Sequence, residues 1–234
     1  MVIQREQPIH IWGWAKSEAL IKVYLNKSKY TTEAQKDGYW TITLPSRPAG
    51  GPFRLTIKSG FQKITISDLY IGDVWVCSGQ SNMRLPVANT QNADKEIGSA
   101  KDALIRHLEI SPSYALRPTL ELHDNNWEVN SPQTVGSFTA TGYYFARFLR
   151  EYHKIPIGLI HSSWSGSRIE TWIGNQLTNA EKLSKKQLSL PHHQKDLAYN
   201  KMIHPLTKFP IKGCLLYTSP SPRDATLSRM PSSA

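Results

Sequence analysis

Ser81 is the residue from which chemistry can be read first. It lies in LYIGDVWVCSGQSNM, residues 69–83, where an apolar, β-branched and aromatic run ends at Ser78-Gly79 and three polar residues follow, Gln80, Ser81 and Asn82. The run predicts a buried strand. The missing Cβ of Gly79 lets the chain turn sharply there. A serine held at the lip of a sheet, beside the free N–H groups of the next turn, is what acyl transfer needs: a presented hydroxyl and donors for a developing oxyanion. An isolated G-x-S is more often an ordinary strand-to-helix connection. Nor is this the G-x-S-x-G elbow, because Met83 stands in place of the second glycine.

The elements that must position Ser81 read as two regimes. Residues 8–66 hold short runs rich in Val, Ile, Thr and aromatics (IHIWGWA, ALIKVYL, YWTITLP, FRLTIKS), separated by KSE, QKDG and PAGG. Ile9 and Ile11, then Ile21, Val23 and Leu25, alternate with other residues, the period of a half-buried strand. Even spacing predicts a small antiparallel sandwich. From residue 69 the pattern changes to strands alternating with helical stretches, which predicts a parallel sheet. Residues 90–103 read as a surface helix, 106–111 as a strand and 112–136 as a long loop. Residues 139–152 read as the clearest helix, with Ala140, Tyr143, Tyr144, Ala146, Phe148 and Leu149 near 3.6-residue spacing. Residues 157–161 read as a second buried strand. Trp12 and Trp14 are expected to pack in the core or against the following domain rather than form a sugar platform.

Three strings, in order, carry a resemblance. GDVWVCSGQSNM, then PIGLIHSSWSGSRIETW (residues 156–172), then YNKMIHPL (residues 199–206) leading into IKGCL, resemble blocks of the sialate O-acetylesterase family within the SGNH/GDSL hydrolase superfamily. The resemblance implies an α/β fold: a flavodoxin-like SGNH parallel sheet, incomplete here, preceded by a small antiparallel β-sandwich. It implies a sandwich over residues 1–68, the N-terminal part of the catalytic domain over 69–215, and a tail without family character over 216–234. Ser81 is implied as nucleophile, the Ser81 and Gly166 N–H groups as oxyanion donors, and Gln80, Asn82 and His204 as substrate-binding residues. Ser165 replaces the first glycine of the family's usual pair. Glu170 matches the family's acid, although a lone carboxylate there is more often a helix-start charge or an ion-pair partner. The implied substrate is O-acetylated sialic acid or another acetylated glycan, with no metal or organic cofactor. Relatives are exported to the periplasm or secreted, and this sequence carries no signal peptide of its own.

A serine hydroxyl needs a base, and the base an orienting group. By resemblance both come from a D-x-x-H segment. No aspartate of this sequence has a histidine three residues later, and the family block supplying an asparagine as third oxyanion donor is absent. The chain is therefore expected to be nearly inactive as given. A Ser/Pro/Arg-rich tail replaces those blocks and predicts no regular structure over residues 216–234.

Length and composition bound the rest. The 234 residues are 39% hydrophobic, enough for one good core or two modest ones, and no apolar run nears the roughly 18 residues of a membrane span. A formal charge of +10 invites nucleic acid, but the cations are scattered, with one loose cluster at 182–195 that includes His192 and His193. Neither finger spacing nor aromatic interleaving accompanies them, so a solvated basic face is expected, without nucleic-acid or membrane partners. Cys77 and Cys214 fall in apolar strands and are expected as buried free thiols. The competing reading is a non-catalytic carbohydrate-binding or interaction module.

Overall fold

The computed structural model describes residues 1–122, 126–174 and 183–218. Six strands come first: β1 (Val2–Gln4), β2 (Ile9–Trp14), β3 (Leu20–Leu25), β4 (Ser28–Glu33), β5 (Tyr39–Leu44) and β6 (Gly50–Ser59). β2 pairs antiparallel with β5, while β3 lies between β4 and β6. The alternation on β3 has the expected consequence: Ile21, Val23 and Leu25 are sealed in a core with Trp40, Leu44, Leu55 and Leu69. β4, SKYTTE, carries no strand signal of its own. It is a largely polar edge strand in which no position is fully buried, and only Tyr30 packs against the core.

β7 (Gln62–Gly79) is the beam of the molecule. Its first half hairpins antiparallel onto β6, and its second half becomes the centre of a parallel sheet. Only the apolar second half is legible as a buried strand, because Gln62, Lys63, Ile64 and Thr65 are exposed. β1 adds a parallel pairing on the β7 residues Tyr70–Gly72, so the N-terminal region is not purely antiparallel. Arg5 fixes this junction. Its Nε donates to Asp73 at 2.8 Å and Gln4 Nε2 donates to the same carboxylate at 3.1 Å, on an aspartate that is almost wholly buried.

After β7 come α1 (Ser81–Arg84), α2 (Ala93–Ser99), β8 (Ile105–Glu109), β9 (Trp127–Val129), α3 (Ala140–His153), β10 (Ile157–Ser163), α4 (Lys185–Leu188) and β11 (Gly213–Tyr217). The order across the second sheet is β9-β8-β10-β7-β11, parallel except for β9. The anticipated parallel sheet is present. β10 and β11 flank β7 on opposite sides, with β8 and β9 added outside β10. Counted over β7, β10 and β11, this is the 2-1-3 arrangement of a flavodoxin-like sheet, with β7 at the point where strand order reverses.

Several expectations need correction. The helix read over 90–103 contracts to α2, because Asn92 adopts a left-handed conformation (φ 60°) and Ala100 is already extended. The loop read over 112–136 contains β9, three residues too short to show a period. On α3 the buried face is Ala140, Gly142, Tyr143 and Ala146, while Tyr144 and Phe148 face outward. Leu216 and Tyr217, assigned to a structureless tail, instead complete β11 opposite Ser78 and Gly79. They remain largely exposed, at 66% and 46%, so the edge beyond β11 is apolar and open among the described residues. The remainder of that tail, 219–234, lies outside the described residues.

Trp12 packs rather than standing free. It lines an apolar cavity of about 230 Å³ with Leu108, Trp127, Leu206 and Phe209, where the N-terminal strands meet the parallel sheet. Trp14 is half exposed, edge-on to Tyr39 at 5.7 Å. Both cysteines are free thiols on adjacent strands, Cys77 buried and Cys214, against expectation, exposed at the sheet edge. Desolvation pushes both thiols up in pKa.

Candidate active site

The site is built at the carboxyl ends of β7 and β10, where open α/β sheets place their ligands. Gly79 closes β7 with φ +135°, a conformation that side chains avoid. A Cβ there would sit 2.1 Å from the Tyr217 carbonyl oxygen, so only glycine lets β11 lie this close. The turn is held from both sides: Gln80 N donates to the Tyr217 carbonyl at 3.2 Å, and Trp164 N donates to the Gly79 carbonyl at 3.1 Å. Ser81 follows as the first residue of α1 and is exposed, at the surface end of the strand. As a first-turn residue its N–H has no carbonyl within the helix to serve.

β10 delivers the second loop. Trp164, Ser165 and Gly166 follow its last residue, and Gly166 takes φ +73°. Gln80 joins the two loops directly, its Nε2 donating to the Ser167 carbonyl. The Gly166 N–H donates to no backbone carbonyl among the described residues. The space over Gly166 is open: beyond its chain neighbours, the nearest atom to a Cβ built there is His192 Nε2, at 4.0 Å.

The other candidates divide. Asn82 Nδ2 reaches the Thr218 carbonyl at 3.4 Å, on the β11 side of the turn. His204 is drawn elsewhere, its Nδ1 donating to the Thr119 carbonyl at 2.7 Å with Tyr199 edge-on to the ring. Glu170 is exposed in the short 3-10 turn Ile169–Trp172, in keeping with a helix-start charge. Its backbone carbonyl accepts from Asp196 N. Among the described residues no group of three or more His, Cys, Asp or Glu could hold a metal ion. In the same residues no helix is long and apolar enough to cross a membrane.

Three contributors carry no signal in the sequence. Arg84, on α1 itself, pairs with Glu109 of β8 at 3.2 Å and donates to the Ser163 carbonyl at 3.4 Å, fixing the serine-bearing turn to β8 and β10. Nearby, His161 Nε2 lies 2.6 Å from Ser163 Oγ and its ring is 5.7 Å from that of His107. Burial, then the nearby Arg84 charge, depresses His161 to about 4, while burial and His161 take His107 to about 3. Both are therefore neutral near pH 7. The third contributor is the turn Pro191–His193. His193 Nε2 donates to the Gly166 carbonyl at 3.2 Å, Arg168 N donates to the His192 carbonyl at 3.0 Å, and the His192 ring stacks on Trp164 at 5.2 Å. Nothing in the local sequence marks this contact, because His193 and Gly166 are 27 positions apart.

The parallel sheet thus carries an exposed serine at its reversal point, beside a glycine loop from the next strand. Residues 71–211 match the family model described as "Carbohydrate esterase, sialic acid-specific acetylesterase", and the chain belongs to that family, one of carboxylic ester hydrolases. Curated sialate O-acetylesterases are similar along most of the chain. Those of Pongo abelii and Homo sapiens are each 32% identical over 247 residues, covering 94% of this chain and 47% of theirs. That of Rattus norvegicus is 28% identical, covering 93% and 49%. A solved carbohydrate acetylesterase from Xanthomonas citri superposes with a TM-score of 0.86 at 35% identity, over 93% of this chain and 49% of that one. The chain spans about half the length of the curated relatives it matches.

Proposed function

We propose that Ser81 is the nucleophile of an esterase that removes O-acetyl groups from sialic acid or a related acetylated sugar. Ser81 Oγ attacks the acetyl carbon and loses its proton to a base. The tetrahedral oxyanion is met by the Ser81 and Gly166 N–H groups, the sugar leaves with a proton on its oxygen, and water releases acetate from the acetyl-serine. Gln80 and Asn82 border the sugar side of this turn, and His204 shapes the pocket farther out. The observation that carries the reading is the pair of ties between the two loops, Gln80 to the Ser167 carbonyl and Trp164 N to the Gly79 carbonyl. The substrate is an acetylated glycan, and the place of action is the periplasm or the exterior, where such glycans are met.

These 234 residues supply the nucleophile and two oxyanion donors, and no Asp-x-x-His pair to act as base and orienter. The chain as it stands is therefore nearly inactive. The test is hydrolysis of p-nitrophenyl acetate, O-acetylated sialic acid and acetylated xylan by purified chain and by its Ser81→Ala variant. Turnover at the buffer rate in both is expected. Turnover that Ser81→Ala abolishes would show that His161, His192, His193 or His204 serves as base and would refute the inactivity. The nucleophile assignment itself fails if a longer form of the protein keeps its esterase rate after Ser81→Ala.

A further inference from the structure

We propose that His192 is an additional oxyanion donor, directing a neutral Nε2–H at the acyl oxygen of an ester held by Ser81 and Gly166. The proposal rests on the reading of Ser81 as nucleophile. Its geometry is local. Chain neighbours aside, the niche over Gly166 is bounded within 4.0 Å by one atom, His192 Nε2, and is otherwise open. The ring stacks on Trp164 and meets His193 edge-on at 4.4 Å, and the His192 backbone carbonyl accepts from Arg168 N. His193 holds the other side of the niche through the Gly166 carbonyl. The imidazole is thus set over the same glycine whose N–H would meet the oxyanion.

The tautomer follows from the surroundings. A neutral imidazole carries a single N–H. His192 Nδ1 is shielded from solvent and has no hydrogen-bond partner among the described residues. Nδ1 is unmet in either tautomer, as donor or as acceptor, so the choice is made at Nε2. A proton on Nε2 faces the open niche, where a ligand or solvent can accept it. Burial, followed by the neighbouring His193, lowers the pKa of His192, which keeps the ring neutral near pH 7. A ring with its proton on Nε2 cannot take the serine proton through that atom, so His192 is a donor here and not the base. Among these residues it takes the part of a third donor, beside the Ser81 and Gly166 N–H groups.

Methylboronic acid tests this without turnover. The serine Oγ–B bond forms, the hydroxyl proton passes to buffer, and boron becomes a tetrahedral anion whose oxygen lies where the oxyanion would. The adduct is followed by boron NMR and calorimetry on the 234-residue chain. Ser81→Ala should abolish the adduct. His192→Ala and His192→Phe should each weaken it about ten- to a hundred-fold, because each removes a donor of the kind that is worth about a hundred- to a thousand-fold in rate. His192→Phe keeps a ring to stack on Trp164, and His192→Gln, which restores an N–H, should bind within about threefold of the original. Loss in Ala with recovery in Phe would show that the ring only packs, and would overturn the proposal. An adduct equally tight in all three His192 variants would overturn it while leaving Ser81 in place. No adduct in the unsubstituted chain would overturn this proposal, and the Ser81 reading is judged separately by Ser81→Ala in a longer form of the protein.

Discussion

Gly79→Ala should be among the most damaging single-methyl additions to this protein. Two effects combine at that position. The backbone is at φ +135°, which a residue with a Cβ occupies at a cost of about 1–3 kcal/mol. The new methyl would also lie 2.1 Å from the Tyr217 carbonyl oxygen, a backbone atom paired into β11 that cannot swing aside. Relieving that overlap means displacing the end of β11, at a cost of about another 1–3 kcal/mol. The sum, about 2–6 kcal/mol, is a large share of the roughly 5–15 kcal/mol typical of a folded protein. For a chain of this size it corresponds to a fall in Tm on the order of 5–20 °C. Gly60→Ala is the control: φ is +55°, but nothing lies within 4 Å of the added Cβ, so only the left-handed strain of about 1–2 kcal/mol applies. Both variants should be compared by urea titration and thermal melting. If Gly79→Ala proves no worse than Gly60→Ala, the β7–β11 contact does not constrain the serine turn, and the account of how Ser81 is placed is wrong.

Other expectations follow from the same contacts. Arg5→Met leaves the buried Asp73 carboxylate with Gln4 but without its cation, and should cost about 2–4 kcal/mol, read as a shift in the urea midpoint with unchanged slope. His107 and His161 are neutral in the fold but protonate in the unfolded chain below about pH 6.5. The unfolded state then binds more protons, so stability should be full above about pH 6.5 and decline as the pH falls toward about 4. Denaturation series from about pH 7.5 to about 4 on the original chain and on His107→Gln/His161→Gln should show the slope flattening in the double variant. Leu216→Lys places a charge on the exposed edge of β11 and should reduce self-association in light scattering while leaving Tm nearly unchanged.

What was legible in the sequence had an apolar pattern behind it. The second half of β7, β10 and α3 are readable because Val74, Val76, Leu159 and Tyr143 are buried and their spacing matches the element that buries them. Ser81 and Gly166 each follow such a strand, but their expected roles came from the resemblance of the surrounding strings and not from the pattern. β4 and the first half of β7 are only faintly marked, since most of their side chains are exposed and only Tyr30 and Ile66 reach the core. β9 is held by pairing with β8, through Trp127, Glu128 and Val129, a fact of tertiary position rather than of local propensity. The same holds for Arg84 with Glu109 and for His192 over Gly166. Each is a contact across two elements, and single residues of ordinary type give no reason to expect it.

The 18-residue length of β7 also sets an order of events during synthesis. Its first half can pair at once, because β6 lies immediately upstream through the turn at Gly60 and Phe61. Its apolar half must wait. Asp73 pairs with Ile157, so 157 − 73 = 84 residues separate them. At about 5–20 residues per second, the interval is roughly 4–17 seconds before β10 has even begun to appear. For that time Val74, Val76 and Cys77 extend from a finished hairpin with one β1 pairing beside it and no cover on either flank farther along. A nascent chain arrested between residues 80 and 150 should therefore present one defined, strand-ready hydrophobic segment, and that segment is where a holding chaperone would be found.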